Sequence, residues 1–295
     1  MKRKVIGLAK STHVVSLPNS WLEQNNVKKG DEIEVHEKEN SLVIEPKKTE
    51  KTISVDVSGL DQHVKRFLNC VYKSGYDEIK VSYLRKEELD KIQEDVNDYL
   101  TGFEITKIDE ESKKVTIKGL SRIEGKEFDN VLKRIFYIIK QTSSELASGD
   151  FDKSVIEKRD KEVNKYSDYC RRILNQNEFL SISSRYKRNP PLYFIVEQLE
   201  KIGDDFRDLA RINEAKNITH VIRDVNDYFF MLYDFFYKFD RDRFNVFVKR
   251  RYELKDKIAT MLKYDKKDYT AIVMCQNIIE KSFDMNGPIT SCFLE

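Results

Sequence analysis

The chain has 295 residues, 40 % of them hydrophobic and 35 % charged, a composition that supports a sizeable buried core and excludes a disordered or linker-dominated protein. Its 53 lysines and arginines nearly cancel its 51 acids, so the net charge of +2 does not by itself indicate a nucleic-acid partner. No stretch approaches the roughly 20 apolar residues that span a bilayer, and the four cysteines form no CxxC pair, so we expect a cytoplasmic protein without membrane insertion.

Residues 1–48 have the pattern of a small β-rich domain. Two short strands are predicted near residues 5–6 and 12–17, and Pro18 then suits the first turn of a short helix. Residues 32–37 alternate polar and apolar side chains, as a half-buried strand does, and residues 42–44 pair back after a turn at Asn40 and Ser41.

This first domain is too small to be stable alone. About 45 residues bury too little apolar surface unless a disulfide, a metal ion or a partner chain helps. The segment contains neither a cysteine pair nor a metal motif. We therefore expect two copies to interdigitate as a homodimer.

Residues 49–120 alternate strand and helix patterns. Strands are predicted at 53–57, 79–83, 103–108 and 114–118, with helices at about 60–73 and 86–100. The order predicts an α/β sandwich of one sheet and two helices. It has no glycine-rich phosphate loop and no acid/base constellation, so we expect a connector or a dimerisation unit.

Residues 121–295 are almost continuously helical in pattern. Apolar side chains recur at the 3,4 spacing of one helix face, and the sequence Asn189-Pro190-Pro191 interrupts the run. Six helices are predicted, which fit two three-helix bundles better than one long coil.

The helical part contains an internal repeat with carboxylates. Glu-Lys-x-x-Asp occurs at 200–204 and again at 280–284. Each pair, Glu200 with Asp204 and Glu280 with Asp284, lies one turn apart on one helix face. Because Glu197 and Asp208 extend the first stripe, four like charges repel one another unless cations intervene.

Two kinds of cation could neutralise this stripe. Fe, Zn, Mn and Mg ions all accept carboxylate oxygens, which predicts a metal site. Alternatively, Lys201, Arg207 and Arg211 of the same chain neutralise a solvated acidic face. The motif alone leaves both interpretations open.

The N-terminus is basic. Lys2, Arg3, Lys4 and Lys10 precede the first acid, Glu23. Two copies related by a dimer axis would double this positive patch and could follow the phosphates of double-stranded DNA. A frayed basic terminus without a DNA role is the alternative.

The first 48 residues resemble the SpoVT-AbrB (swapped-hairpin) DNA-binding domain. The resemblance rests on Ser16-Leu17-Pro18, Trp21 and Lys29-Gly30-Asp31, in that order along the chain. It implies two chains whose hairpins interleave into a small β-barrel. By position it makes Arg3, Lys4 and Lys10 candidate DNA contacts, and Lys2 joins them by charge. The family's glycines before the second strand are replaced here by 9–11, Ala-Lys-Ser.

The helical part resembles PhoU, a phosphate-uptake regulator built as a duplicated three-helix bundle. Residues 200–204 are close to its Glu-Arg-Ile-Gly-Asp signature, and 280–284 form the second copy. The resemblance implies metal binding through Glu-x-x-x-Asp pairs aided by acids of a preceding helix. Here that partner set is Asp160 with Asn164 in the first bundle. In the second it is Arg251 with Lys255 or Tyr252 with Asp256, depending on the alignment.

Together the two resemblances describe the archaeal type of PhoU regulator with an AbrB-like head. We therefore expect a multidomain α+β protein, with a swapped-hairpin barrel at 1–48, an α/β connector at 49–120 and PhoU-like bundles at 121–295. The expected metal ligands are six carboxylates: Glu200, Asp204, Glu280, Asp284, Asp160 and Glu197.

The expected function is DNA-binding transcriptional regulation of phosphate uptake and phosphate homeostasis. An alternative is an adaptor that docks on a phosphate transporter or a signalling protein such as a sensor kinase, with the head only dimerising. It rests on the aromatic run at 228–247. The helical spacing of this run favours core packing, and Tyr233 and Tyr237 are the surplus aromatics that could form a docking face. The four histidines lack ligand spacing, His13 and His36 are expected at the surface, and no catalytic set is recognisable, so we expect no enzyme.

Overall fold

The computed structural model describes residues 1–38, 41–46, 50–120, 127–176, 186, 189–212, 216–264 and 267–293. These residues form two compact units, Met1–Glu50 and Lys51–Glu295. The predicted domain boundaries at 48/49 and 120/121 and the turn residue Asn40 involve positions outside the described residues.

The first unit, which we call the head, consists of two hairpins and one short helix. Strands β1 (Ile6–Ala9) and β2 (Thr12–Val14) pair antiparallel, and so do β3 (Ile33–Lys38) and β4 (Ser41–Pro46). Helix α1 (Asn19–Gln24) lies between the hairpins in sequence. The predicted elements of the head are confirmed. Within one chain the two hairpins remain separate two-stranded sheets, so a closed barrel would need a second chain.

The head lacks a core of its own. None of its described residues is buried. Ile6, Leu8, Val35 and Leu42 are each more than half exposed, at 57 %, 69 %, 53 % and 60 %. Apolar strand faces left in water are unfavourable by about 25 cal/mol per Å², so a surface that covers them would stabilise the head.

The second unit begins with a four-stranded sheet covered by two helices. The strands are β5 (Thr52–Asp56), β6 (Glu78–Ser82), β7 (Phe103–Asp109) and β8 (Lys114–Gly119), in the order β5-β6-β8-β7. Helices α2 (Val64–Lys73) and α3 (Lys86–Asp98) connect them. The predicted sandwich of one sheet and two helices is confirmed.

The rest of the second unit is helical. Its helices are α4 (Phe128–Ser148), α5 (Lys153–Gln176), α6 (Pro190–Arg211), α7 (Thr219–Tyr237), α8 (Arg241–Tyr264), α9 (Tyr269–Asp284) and α10 (Asn286–Phe293). The six predicted helices are present, and the short α10 follows α9. None of the described helices is both long and apolar enough to cross a bilayer.

The long helices pack as two groups of three that share one core. Helix α4 contacts α5 and α6, and α7 contacts α8 and α9. The groups are joined where α4 packs on α7 and α6 packs on α9. Phe136 of α4 contacts Phe229 and Phe236 of α7, so aromatic side chains fill this junction.

A buried arginine ties the helices to the α/β layer. Arg172 of α5 is 2 % exposed and donates to the carbonyl oxygens of Tyr72 (2.8 Å) and Tyr76 (2.6 Å) at the end of α2. Asn175 donates to the carbonyl of Lys73 at 2.7 Å. Because the last carbonyls of a helix lack intrahelical donors, these side chains complete the end of α2.

Candidate functional site

The four candidate DNA contacts lie on the first hairpin of the head. Lys2, Arg3 and Lys4 precede β1, and Lys10 with Ser11 forms the turn between β1 and β2. All four cations are exposed. Lys4 and Lys10 flank opposite ends of β1, about 20 Å apart along an extended chain, so one hairpin presents two positive ends rather than one cluster.

The local sequence explains this hairpin. Ala9 pairs with Thr12, which leaves Lys10 and Ser11 as a two-residue turn, and the register shifts between Gly7 and Ala9. A bulge of this kind increases the local twist of a strand. No acid occurs before Glu23, so the hairpin has no opposing charge of its own.

Comparison with known families supports an AbrB-type domain at the N-terminus. Residues 10–52 match the model of a family described as "Antidote-toxin recognition MazE, bacterial antitoxin". The match begins at Lys10, so Lys2, Arg3 and Lys4 precede it. No curated protein and no solved structure matches this chain.

In the helical part, a guanidinium group lies among the predicted metal ligands. Arg207 of α6 donates through Nη1 to Asp160 (2.8 Å) and Asp204 (2.5 Å), and through Nε to Asp208 (3.0 Å). Burial raises the pKa of Asp160, and the bond from Arg207 opposes that shift. The three carboxylates outweigh the effect of burial and raise the pKa of Arg207 above its ordinary value.

The other acids of the first stripe are also paired with cations. Glu200 forms an ion pair with Arg171 of α5, which is 7 % exposed. Glu197 accepts a bond from Lys201 at 2.7 Å, which lowers the pKa of Glu197. The first stripe therefore has its positive charge supplied by the chain itself.

The second copy of the motif is built differently. Glu280 accepts a bidentate pair of bonds from Arg251 of α8 at 2.8 and 3.0 Å. Asp284 is the last residue of α9 and is exposed. Lys281 reaches across to Asp205 of α6 at 2.5 Å, so it links the two helix groups.

These contacts bear on the expected metal. Asp160 and Asp204 come together, but the group between them is the guanidinium of Arg207. Glu280 is likewise paired with Arg251. A guanidinium between two carboxylates provides the charge that a metal ion would otherwise supply. As placed, the six residues do not fit a metal ion, and the arrangement favours the ion-paired interpretation. Metal binding at these positions stays a prediction.

The aromatic run of α7 and α8 lies mainly in the core. Phe229, Phe235, Phe236 and Phe247 are buried. Tyr233 and Tyr237, the aromatics of the run that could form a docking face, are half-buried and pack against Phe136 with ring centroids 5.6 and 5.7 Å apart. The aromatic run therefore serves mainly core packing, and little of its aromatic surface is left for a partner protein.

A polar cleft in the second unit was not predicted from the sequence. It has a volume of about 490 Å³ and lies where α2, α5 and α6 meet. The lining includes cations of α2 and acids of the longer helices: Lys65, Arg66, Lys73, Asp168 and Glu200. Sequence spacing places the three cations on one helix, but only packing brings the acids opposite them.

Three side chains of the second hairpin also come together. Glu34, His36 and Glu45 each contribute one ligand atom to a group whose atoms lie within 4.8 Å of one another. His36 and Glu34 share one strand, and the alternation of residues 32–37 could have indicated their common face. The contribution of Glu45 depends on the register between β3 and β4.

Proposed function

We propose that this chain is a dimeric DNA-binding regulator whose head contacts the DNA backbone. AbrB- and MazE-like domains typically dimerise and bind DNA, and residues 10–52 match such a domain. The observation that carries the proposal is the combination of this match with an exposed, acid-free basic hairpin. The absence of buried side chains among the described residues of the head supports the dimer.

The physical role of the hairpin follows from its charges. Each chain contributes two positive ends of β1, so a two-fold dimer presents four. Lysine and arginine contacts to phosphates release condensed counterions, which makes affinity strongly salt-dependent. Such contacts position the protein, and sequence is read separately at the base edges.

DNA binding over a salt series tests the proposal. Replacing Lys2, Arg3, Lys4 and Lys10 by alanine should lower the slope of log affinity against log salt by roughly 3 to 4 units. The measurement is fluorescence anisotropy with labelled genomic duplexes. A control with the same charge change replaces exposed lysines of the second unit by alanine: Lys86, Lys107, Lys158 and Lys255.

The control separates local contact from net charge. We expect it to keep the wild-type slope within about one unit. An equal loss of slope in both quadruple variants would show that overall charge, not the hairpin, governs binding. Absence of salt-dependent binding by the full-length protein would contradict the proposal itself.

The finer part of the proposal is regulation of phosphate uptake. It is supported by the resemblance of 200–204 and 280–284 to the PhoU signature. The cleft where α2, α5 and α6 meet is lined by Lys65, Arg66 and Lys73 and also by Asp168 and Glu200, and Lys73 pairs with Asp168 at 3.2 Å. Lys65 and Arg66 are the cations that we propose for an anionic effector. An effector that binds one conformation better than another shifts DNA affinity by that difference alone.

Inorganic phosphate is the probe for this finer proposal. Added phosphate should change DNA affinity of the wild type and leave a Lys65→Ala, Arg66→Ala variant unaffected. Sulfate at equal ionic strength controls for screening. An identical response to phosphate and sulfate would contradict the proposed phosphate role and would not bear on the DNA-binding proposal.

The adaptor function stays the alternative. Its motivating aromatic run is largely used in the core, so the structure gives it less support than the DNA-binding head. It predicts that neither the full-length protein nor its quadruple variant binds DNA at physiological salt.

A further inference from the structure

The second hairpin of the head presents an imidazole between two carboxylates. Glu34 and His36 are two residues apart on β3, so their side chains lie on the same face. Glu45 of β4 is directly opposite Glu34 in the register. Three potential metal ligands are thus placed by strand geometry rather than by a flexible loop.

The arrangement is electrostatically incomplete. Two like charges directly opposite each other on antiparallel strands are destabilising unless a cation lies between them. In the helical part that cation is an arginine, whereas here no lysine or arginine pairs with Glu34 or Glu45 among the side chains that the structure describes, which do not include that of Lys38. Among those described side chains, His36 is the basic group that approaches them, with Nε2 3.4 Å from Glu34 Oε2 and 3.9 Å from Glu45 Oε2.

The facing atoms also lack other partners. His36 Nε2 and Glu45 Oε2 are shielded from solvent and make no hydrogen bond to the residues that the structure describes. The side chains as a whole are 44 % (Glu34), 37 % (His36) and 23 % (Glu45) exposed, so an ion from solvent can reach them.

We propose that Glu34, His36 and Glu45 bind one divalent transition-metal ion of the zinc class. Ligand atoms about 2.1 Å from a tetrahedral ion are about 3.4 Å apart, which is the separation of His36 Nε2 and Glu34 Oε2. Glu45 Oε2 is 3.9 Å from the same nitrogen, so it must move about 0.5 Å closer to it. The oxygens of Glu34 and Glu45, which lie within 4.8 Å of each other, must also approach to about 3.4 Å. Water completes the coordination.

The donor set selects the class of metal. One imidazole nitrogen and two carboxylate oxygens suit Zn²⁺, and Mn²⁺ and Fe²⁺ accept the same atoms. Mg²⁺ and Ca²⁺ prefer oxygen ligands throughout. A bound ion would join β3 to β4 within the second hairpin of the head, and this inference does not depend on whether the head binds DNA.

Titration of the full-length protein with Zn²⁺ tests the proposal. Isothermal titration calorimetry of the wild type should show one site per chain that is lost, or weakened at least about tenfold, in His36→Gln. His13→Gln is the matched control, since it removes an exposed histidine of the same unit. Mg²⁺ should give no saturable binding at these residues.

Two further measurements keep the test sharp. Glu34→Gln removes only a charge from a partly exposed strand position, so we expect it to weaken Zn²⁺ binding with less risk of misfolding than His36→Gln. Circular dichroism shows whether both variants are folded. Co²⁺ should give d–d absorption from nitrogen and oxygen ligands, without the intense band of a thiolate. Wild-type protein that binds no Zn²⁺, or a His36→Gln variant that binds as the wild type does, would overturn the proposal.

Discussion

Arginine side chains determine the chemistry of the helical carboxylates at the scale of single residues. Arg207 is 19 % exposed, and its partner Asp160 is 8 % exposed, so their charges are only partly screened by water. Arg211 is 51 % exposed and bonds Glu157 at 3.0 Å. The two arginines on one helix therefore differ in how much their ion pairs contribute to stability.

Arg207→Gln is expected to lower the free energy of unfolding by about 2 to 3 kcal/mol, because it leaves Asp160 and Asp204 partly buried without a cation. Arg211→Gln, the matched control, should cost less than about 1 kcal/mol. Urea denaturation measures both. Equal costs for the two variants would contradict the idea that burial distinguishes the pairs.

Asp95 of α3 is a buried acid with a different consequence. It is 2 % exposed, and neither carboxylate oxygen has a hydrogen-bond partner in the described chain. Burial raises its pKa from 3.8 to about 7, with Lys65 opposing that shift and Asp168 adding to it. Between these two pH values the folded state holds a proton that the unfolded state has lost. The free energy of unfolding therefore falls as pH rises through that window.

Asp95→Asn removes this titration. The variant should be more stable than the wild type at pH 8 by about 2 kcal/mol, and the difference should disappear near pH 3, where the carboxyl is largely protonated in both states. Asp90→Asn on the exposed face of α3 is the control and should stay within about 0.5 kcal/mol at both pH values. A difference for Asp95→Asn that does not vary with pH would show that packing, not ionisation, causes it.

At the scale of elements, the fourth residue of the repeated Glu-Lys-x-x-Asp motif packs differently in its two copies. Gly203 lies where α6 packs on α5, and a Cβ there would lie 3.2 Å from Cγ1 of Val163. The equivalent residue in the second copy is Phe283, whose ring is 6.4 Å from that of Tyr252. A glycine thus permits close helix packing in the first copy, while an aromatic pair fills the second.

Gly203→Ala separates helix propensity from packing. Alanine in a helix interior gains about 1 kcal/mol over glycine, whereas overpacking costs about 1 to 3 kcal/mol. We expect no gain, or a loss, in the wild-type background and a gain in a Val163→Ala background. Thermal unfolding of the four proteins gives the coupling. The same effect in both backgrounds would exclude the close contact as its cause.

At the scale of the whole molecule, the two units differ in what holds them together. The unit Lys51–Glu295 has a continuous core from the α/β layer through the helices, whereas none of the residues of Met1–Glu50 whose burial the structure describes is buried. In the proposed dimer a partner chain would cover the exposed apolar side chains of β1. Self-association should therefore depend on the head and not on the helices.

Leu8→Asp tests this division. A charge on the 69 % exposed Leu8 should shift the protein from dimer to monomer in sedimentation equilibrium, because the partner's apolar face would bury it. Helical circular dichroism should remain unchanged. Val246→Asp on α8, whose side chain is 58 % exposed, is the control and should stay dimeric. A Leu8→Asp protein that remains dimeric would place the interface elsewhere.

The sequence by itself determined the element order, because strand alternation and 3,4 helix spacing are local patterns. The sequence also showed that the head is small, from which we predict that it needs a partner. It showed as well that the N-terminus carries basic residues and no acid before Glu23. Lys201, Arg207 and Arg211 were correctly named as possible neutralising cations, because they lie within a few residues of the acids they pair with.

Only the tertiary structure decided which long-range partners these residues meet. Arg171 reaches Glu200, Arg251 reaches Glu280, and Glu45 faces Glu34 because of helix packing and strand register. The same acid pair on a helix can face a metal ion, water or an arginine of the next helix, and its own spacing is identical in all three cases. The chemistry of a carboxylate depends on the element packed opposite it, which local sequence does not encode.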